Sequence, residues 1–144
     1  MAITQAMCTS FKEALLNKEM DLGSGGDTIK IALYTSSATL DASTDAYSTT
    51  NEITNTSGTA YTAGGYTLQT QVVDTSGTTA YFDADDPEWT NASFTTAGAL
   101  IYNDTVDGDN AIAVLNFGGD FTVTSGTFRI VFPDPGSTAI VRID

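Results

Sequence analysis

The sequence predicts a mainly β protein, an antiparallel β-sandwich preceded by one short helix. Apolar and polar residues alternate along several short stretches that are rich in Thr, Val, Ile and aromatic residues. Groups of Gly, Asp, Asn, Ser or Pro separate these stretches, and the sequence between them has no helical period. Helical spacing of apolar residues occurs only near the N-terminus, so parallel βαβ architecture is excluded.

The helix is predicted within residues 1–22. Met7, Phe11 and Leu15 recur at a spacing of four and would lie on one face, and the GSGG segment that follows would end the helix. A short amphipathic helix ahead of a sheet has two uses. It can close the core of its own domain, or it can dock against a neighbouring subunit.

Residues 27–144 are predicted to form a single β-sandwich domain. Turns are expected at residues 75–77, 107–110, 118–120 and 133–136, where turn-forming residues cluster. The predicted strands are TIKIALYT from Thr28, YTLQTQVVD from Tyr66, TTAYFDA from Thr78, ASFTTAGALIYND from Ala92, AIAVLNF from Ala111, FTVTSGTFRIVF from Phe121 and TAIVRID from Thr138. The last of these lacks Lys and Pro before Arg142, which favours a paired strand over a free edge.

A Ser/Thr-rich stretch at about residues 36–65 separates the first two predicted strands. Loops of this length are uncommon in a compact domain unless they serve a function. Tyr47, Ile53 and Tyr61 can hold the stretch in place, and Gly64-Gly65 predicts a bend into the sheet. We expect an ordered, extended arm that lies against another protein, and a surface loop without a partner is the alternative.

Composition limits the partners of the chain. Its 144 residues carry a net charge of −13, which disfavours nucleic acid and anionic membrane surfaces. The sequence contains no His, and so lacks the usual general base and the commonest metal ligand. We expect no enzymatic activity, no cofactor, no catalytic residue and no resident metal.

Two acidic segments offer carboxylates for chemistry. Residues 83–88 supply four carboxylates that could form a glycosidase-like pair, although a solvated turn explains them as well. Residues 103–110 supply Asp104, Asp107 and Asp109 for a calcium ion, but their spacing differs from that of an EF-hand loop. A hairpin turn explains the second segment without a metal.

Cys8 and Trp89 are the remaining candidates for a site. Cys8 could act as a nucleophile only beside a base, and without His it is better explained as a small apolar residue of the helix. Trp89 could stack on a sugar ring, or it could be a strand residue that covers the core. The second interpretation suits its place in PEWTNASF.

Several segments in one order carry a resemblance that spans almost the whole chain. They are FKEALLNKEMDL, DTIKIALYTSSATLDASTDAYSTTNE, GTAYTAGGYTL, WTNASFTTAGALIYND and AIAVLNFGGDFTVTSGTFRIVFPDPG. The chain resembles the small structural proteins of tailed bacteriophages that decorate or cement the capsid. The resemblance implies a jelly-roll fold, a place on the exterior of the virion after synthesis in the bacterial host cytoplasm, and association into dimers or trimers.

On this basis the expected function is to bind the outside of a phage capsid and to hold subunits of the major capsid protein together. The residues expected at the interface are the helix face and the arm, namely Met7, Phe11, Leu15, Tyr47, Ile53 and Tyr61. A tail or baseplate component of the virion is one alternative. A β-sandwich module that binds host glycans is another.

Overall fold

The chain folds into antiparallel sheets with one short helix, and 46% of it is strand and 6% helix. This confirms the prediction of a mainly β protein. The computed structural model describes residues 2–54, 59–106 and 108–144. In chain order the elements are β1 (Ala6–Met7), α1 (Thr9–Leu16), β2 (Ile29–Tyr34), β3 (Tyr66–Thr67), β4 (Val72–Ser76), β5 (Thr79–Asp83), β6 (Glu88–Asn103), β7 (Ala111–Arg129) and β8 (Val141–Ile143).

The larger sheet is built around the long hairpin of β6 and β7. Its strand order is β1-β7-β6-β2-β3, and every pairing is antiparallel. The half of the hairpin next to its turn is buried, and β2 pairs with that half of β6 from Ile29↔Asn103 to Tyr34↔Gly98. The opposite half, from Asn116 to Arg129 in β7, is mostly exposed.

The smaller sheet has the order β4-β5-β8. A turn of Gly77 and Thr78 joins β4 to β5, and the register runs from Val72↔Asp83 to Ser76↔Thr79. The predicted turn at residues 75–77 shares only Gly77 with it, because Thr75 and Ser76 pair with β5. The terminal strand is paired, as its composition indicated, because Val141 lies opposite Phe82 and Ile143 opposite Ala80. Across the described residues the sheets do not close into a barrel.

Two strand predictions were wrong. The predicted turn at residues 118–120 lies inside β7, where Gly118 and Gly119 adopt positive φ angles of 84° and 152° beside a register shift. Glycine supplies a bulge as readily as a turn, so the strand continues. The predicted strand from Tyr66 divides into β3 and β4 in different sheets, because Thr70 adopts a left-handed φ of 56°.

The helix is shorter than predicted. Ala6 and Met7 pair with β7 instead of extending the helix, and the chain leaves the helix at Asn17, before Lys18 at a φ of 63°. Burial of Phe11 and Ala14 holds its inner face against the core. Within the described part of the chain, no helix is long and apolar enough to cross a membrane.

Side chains from both sheets, the helix and the arm form one core. Its largest fully buried members include Tyr34, Tyr61 and Tyr102. The arm returns to the sheet at Gly65, whose φ is 86°. A Cβ there would lie 1.9 Å from the carbonyl oxygen of Ile31, so only glycine permits this close approach.

Candidate interaction surfaces

A buried carboxylate fixes the arm to the larger sheet. Glu52 is 6% exposed, and it accepts hydrogen bonds from the Tyr47 hydroxyl (2.6 Å), the Tyr61 hydroxyl (2.6 Å) and the Gly64 amide (2.8 Å). These four residues are called the Glu52 cluster. Three donors around one buried carboxylate satisfy a group that would otherwise be costly to bury.

The cluster is joined to β2 through Tyr61. The backbone N–H of Leu33 donates to the Tyr61 hydroxyl at 3.0 Å, so this oxygen accepts from β2 and donates to Glu52. Burial, and then the hydrogen bond to Glu52, raise the pKa of Tyr61 well above its ordinary value. The same two causes, burial first, raise the pKa of Tyr47. Both phenols therefore stay protonated and act as donors at neutral pH.

The three arm residues predicted at an interface lie close together, but they pack against the chain itself. Tyr61 is fully buried and Ile53 is 5% exposed. Tyr47 is partly buried and stacks on Tyr102 with ring centroids 4.6 Å apart. The arm is thus ordered on its own domain. Contact of these residues with a partner stays a prediction, and for Ile53 and Tyr61 it would require the arm to leave the core.

The helix residues predicted at an interface lie elsewhere. Phe11 and Leu15 line an apolar groove of about 270 Å³ between the helix and the smaller sheet, whereas Met7 lies in β1 outside it. The groove is also lined by Met20, Asp21, Leu22, Gly23, Val73, Ala80, Tyr81, Phe82, Val141, Arg142 and Ile143. Val73 and Ile143 are about half exposed, and Leu16 at the end of the helix is 89% exposed. We call this groove with Leu16 the groove face.

Positive charge that has no acidic partner occurs near the groove face. Lys30 lies 3.2 Å from Asp104, and Arg129 lies 2.7 Å from Asp86. The other three cations, Lys12, Lys18 and Arg142, form no ion pair within the described residues. Arg142 lines the groove, Lys12 is on the helix and Lys18 follows it.

Two of the four carboxylates of residues 83–88, those of Asp85 and Asp86, have structural partners. Asp86 accepts from Arg129 at 2.7 Å and from the Phe132 amide at 2.8 Å, and Asp85 accepts from Thr70 at 2.7 Å. Desolvation raises the pKa of Asp83. These contacts join the start of β6 to the loop after β7, which gives the segment a structural role.

No metal centre forms among the described residues, where no three His, Cys, Asp or Glu side chains are grouped to hold an ion. Asp104 of the 103–110 segment pairs with Lys30, and Asp107 lies outside the described residues. Hydrogen bonds of the Asn103 side-chain amide stabilise this turn. Its oxygen accepts from the Thr105 amide at 2.9 Å, and its nitrogen donates to Asp27 at 2.7 Å.

Cys8 and Trp89 both contribute to the core. Cys8 is fully buried, and burial followed by the charges of Asp41 and Asp45 raises the pKa of its thiol to about 11. It is therefore protonated at neutral pH and unsuited to nucleophilic attack. Trp89 is 6% exposed and packs against Phe94 and Phe128, so it offers no platform for a sugar ring.

A second exposed surface runs along β7. Its neighbour β1 pairs only with Ala113 and Val114, and across the described residues no other strand covers this side of β7. We call residues 116–129 the β7 edge. Phe121 within it is 52% exposed and lies at right angles to Phe117, with ring centroids 6.2 Å apart.

Sequence reasoning missed the Glu52 cluster and the β7 edge. Glu52 is an isolated carboxylate in a stretch of hydroxyl residues with a tyrosine on either side, and that pattern is the signal that could have revealed it. The edge could not be found, because a predicted turn at residues 118–120 divided β7 into two short strands.

Comparisons of the chain with protein-family models, with curated protein sequences and with solved structures found no match. The inference of function therefore rests on the surfaces described above and on the resemblance noted from the sequence.

Proposed function

We propose that this chain is a structural protein of a tailed-bacteriophage virion, which binds the outside of the capsid and holds subunits of the major capsid protein together. The groove face is the observation that supports this role most. It is an exposed apolar surface on a strongly acidic chain, and such surfaces commonly mark binding to other proteins. A fixed β scaffold suits a protein whose function is to add contact area between neighbouring subunits.

The groove face has the composition of a protein-binding surface. Val73 and Ile143 provide half-exposed apolar side chains in the groove, and Phe11 forms part of its lining. The exposed Leu16 directly follows the groove residue Leu15 on the helix. Burial of apolar area supplies most of the free energy of association, at about 25 cal/mol per Å² removed from water. Arg142 at the groove can pair with an acidic side chain of the capsid protein and so fix the orientation of binding.

The proposal also covers the type of fold, the location of the protein and the partners it lacks. The described residues form eight strands, the number found in a jelly roll, and these are divided five and three between the sheets. On the resemblance noted from the sequence, we propose a sandwich of the jelly-roll type and the capsid exterior as its location after synthesis in the host cytoplasm. The role needs no catalysis and no cofactor. A net charge of −13 supports the proposal that neither nucleic acid nor membrane is a partner.

Co-sedimentation with capsids tests the proposal. Capsids that lack this protein are mixed with the purified chain, and the bound fraction is measured over a range of concentrations. The double variant Leu16→Glu/Val73→Glu is expected to bind at least about tenfold more weakly, because it places charge on the groove face. Val72→Glu is the control, since Val72 on β4 is also exposed (38%) but does not line the groove.

Failure of the unmodified chain to bind capsids would overturn the proposal. Equal binding by the groove-face variant and the control, with unchanged melting temperatures, would place the contact elsewhere on the molecule. Counting the protein in intact particles separates shell from tail. Hundreds of copies per particle are expected on a shell, whereas a handful or a few dozen would indicate a tail or baseplate component.

A further inference from the structure

We infer that the β7 edge is a self-association surface, along which two copies of this chain pair in antiparallel orientation. The inference concerns the purified chain alone and does not depend on binding to a capsid. A second copy would cover a stretch of β7 that no other strand of the described chain covers.

The backbone of the β7 edge offers unpaired hydrogen-bonding groups. An edge strand presents a row of N–H and C=O groups on its open side, and natural proteins usually protect such rows with Lys, Pro or a covering segment. Residues 116–129 contain neither Lys nor Pro. The cover provided by β1 ends at Val114, followed by one side-chain contact from Gln5 to the Asn116 amide at 3.2 Å.

The edge has a regular stretch between two irregular ones. Phe121 to Val123 pair in continuous register with Thr96 to Phe94 of β6. Positive φ angles at Gly118 and Gly119 precede this stretch, and Ser125 at a φ of 46° follows it. The regular stretch is where a second strand can add, and the irregular residues limit the length of the pairing.

An exposed aromatic side chain lies at the start of this stretch. Phe121 is 52% exposed although Phe117 contacts it, and Val131 beyond the edge is 72% exposed. Phe117, Phe121, Phe128 and Val131 line a shallow depression of about 240 Å³. A second copy would cover these side chains, and pairs of aromatic and aliphatic residues across strands stabilise a sheet.

The charges along the edge favour a second copy of the same chain. The β7 edge carries one acidic residue, Asp120, and one basic residue, Arg129, so it is neutral in a molecule of charge −13. An antiparallel pairing of the regular stretch, centred on Thr122, places Asp120 opposite Thr124 and not opposite another charge. It also brings Phe121 of one copy into contact with Val123 of the other. The two-fold arrangement makes this contact twice, as expected of a self-complementary interface.

The other open edges would place like charges opposite each other in a pair of two copies. The strand β4 is also exposed, but Asp74 lies at its centre, and an antiparallel pair of β4 strands would place two Asp74 carboxylates opposite each other. The strand β8 is three residues long with Arg142 at its centre, which gives the same repulsion with positive charges. Self-pairing is therefore expected along β7.

Sedimentation equilibrium of the purified chain tests the inference. The unmodified protein is expected to show a concentration-dependent monomer–dimer equilibrium, and Phe121→Lys should lower its association constant at least about tenfold. Val73→Lys is the matched control, because Val73 on β4 has the same exposed fraction of 52% and should not change the equilibrium. A protein that stays monomeric at about 100 μM, or dimerisation lost in Val73→Lys but not in Phe121→Lys, would overturn the inference.

Capsid binding distinguishes this inference from the proposed function. A chain that is monomeric alone but binds capsids would refute self-association and leave the proposed function standing. A chain that dimerises through the β7 edge but does not bind capsids would do the reverse. If capsids bind the unmodified chain and not Phe121→Lys, while both are monomeric, the β7 edge is a contact with the capsid protein.

Discussion

Replacing Tyr61 with Phe tests the role of the Glu52 cluster in stability. The change keeps the buried ring and removes only the hydroxyl, which donates to Glu52 at 2.6 Å and accepts from the Leu33 amide at 3.0 Å. Loss of a hydrogen bond to a charged group costs about 1.5–3 kcal/mol, and a buried N–H left without an acceptor costs about 1–3 kcal/mol. The free energy of unfolding should therefore fall by about 3–5 kcal/mol.

Tyr47→Phe is the matched comparison. It removes the other phenol that donates to Glu52, also at 2.6 Å, but the neighbouring Gly64 amide keeps Glu52 as its acceptor at 2.8 Å. Its ring remains stacked on Tyr102, so a loss of about 1–2 kcal/mol is expected. Urea denaturation at pH 7 and one fixed protein concentration measures both variants. A loss for Tyr61→Phe no larger than that for Tyr47→Phe would refute the role of Tyr61 as a link between β2 and the cluster.

Two further predictions concern the backbone and alkaline pH. Gly65→Ala should destabilise the fold by at least about 3 kcal/mol in urea denaturation, because its Cβ meets the Ile31 carbonyl at 1.9 Å and its φ is 86°. Gly77→Ala is the control, because φ is 60° there but no atom lies within 4 Å of the added Cβ. It should lower the free energy of unfolding by only about 1–2 kcal/mol. Equal losses in the two variants would contradict the close approach at Gly65. The pKa of Cys8 rises on folding from its ordinary 9.0 to about 11, so the folded chain binds more protons than the unfolded chain in that interval. Stability should be nearly constant from about pH 7 to about pH 9 and fall as pH rises from there through 11. The fall should start later in Cys8→Ala, where the raised pKa values of the buried tyrosines remain the cause. A urea midpoint that rises with pH above 9 would contradict this sign.

The class of the fold could be predicted because each buried strand has a simple pattern. The strand at residues 29–34 lies where the sequence indicated. The hairpin of β4 and β5 turns at Gly77 and Thr78, one residue beyond the end of the predicted turn at residues 75–77. Gly64-Gly65 likewise predicted the bend, since both residues adopt positive φ angles. These features depend on local chemistry, which the sequence contains.

Features that depend on distant contacts could not be predicted. Gly118-Gly119 is compatible with a turn or a bulge, and only pairing with β6 decides between them. The residues before Thr9 were included in the predicted helical segment, but Ala6 and Met7 pair with β7. The burial of Glu52 depends on donors at positions 47, 61 and 64, which meet only after the arm has folded back.

The length of the β6–β7 hairpin has a consequence for folding kinetics. Its two strands follow each other in the chain and pair from Tyr102↔Ala111 to Glu88↔Arg129, so their association closes only a short loop. In contrast, β1 and β2 must find partners far along the sequence, which costs more chain entropy. We expect this hairpin to form the folding nucleus, with the early strands adding later. Substitutions at Ile101 should then slow refolding, whereas those at Ile31 should mainly accelerate unfolding.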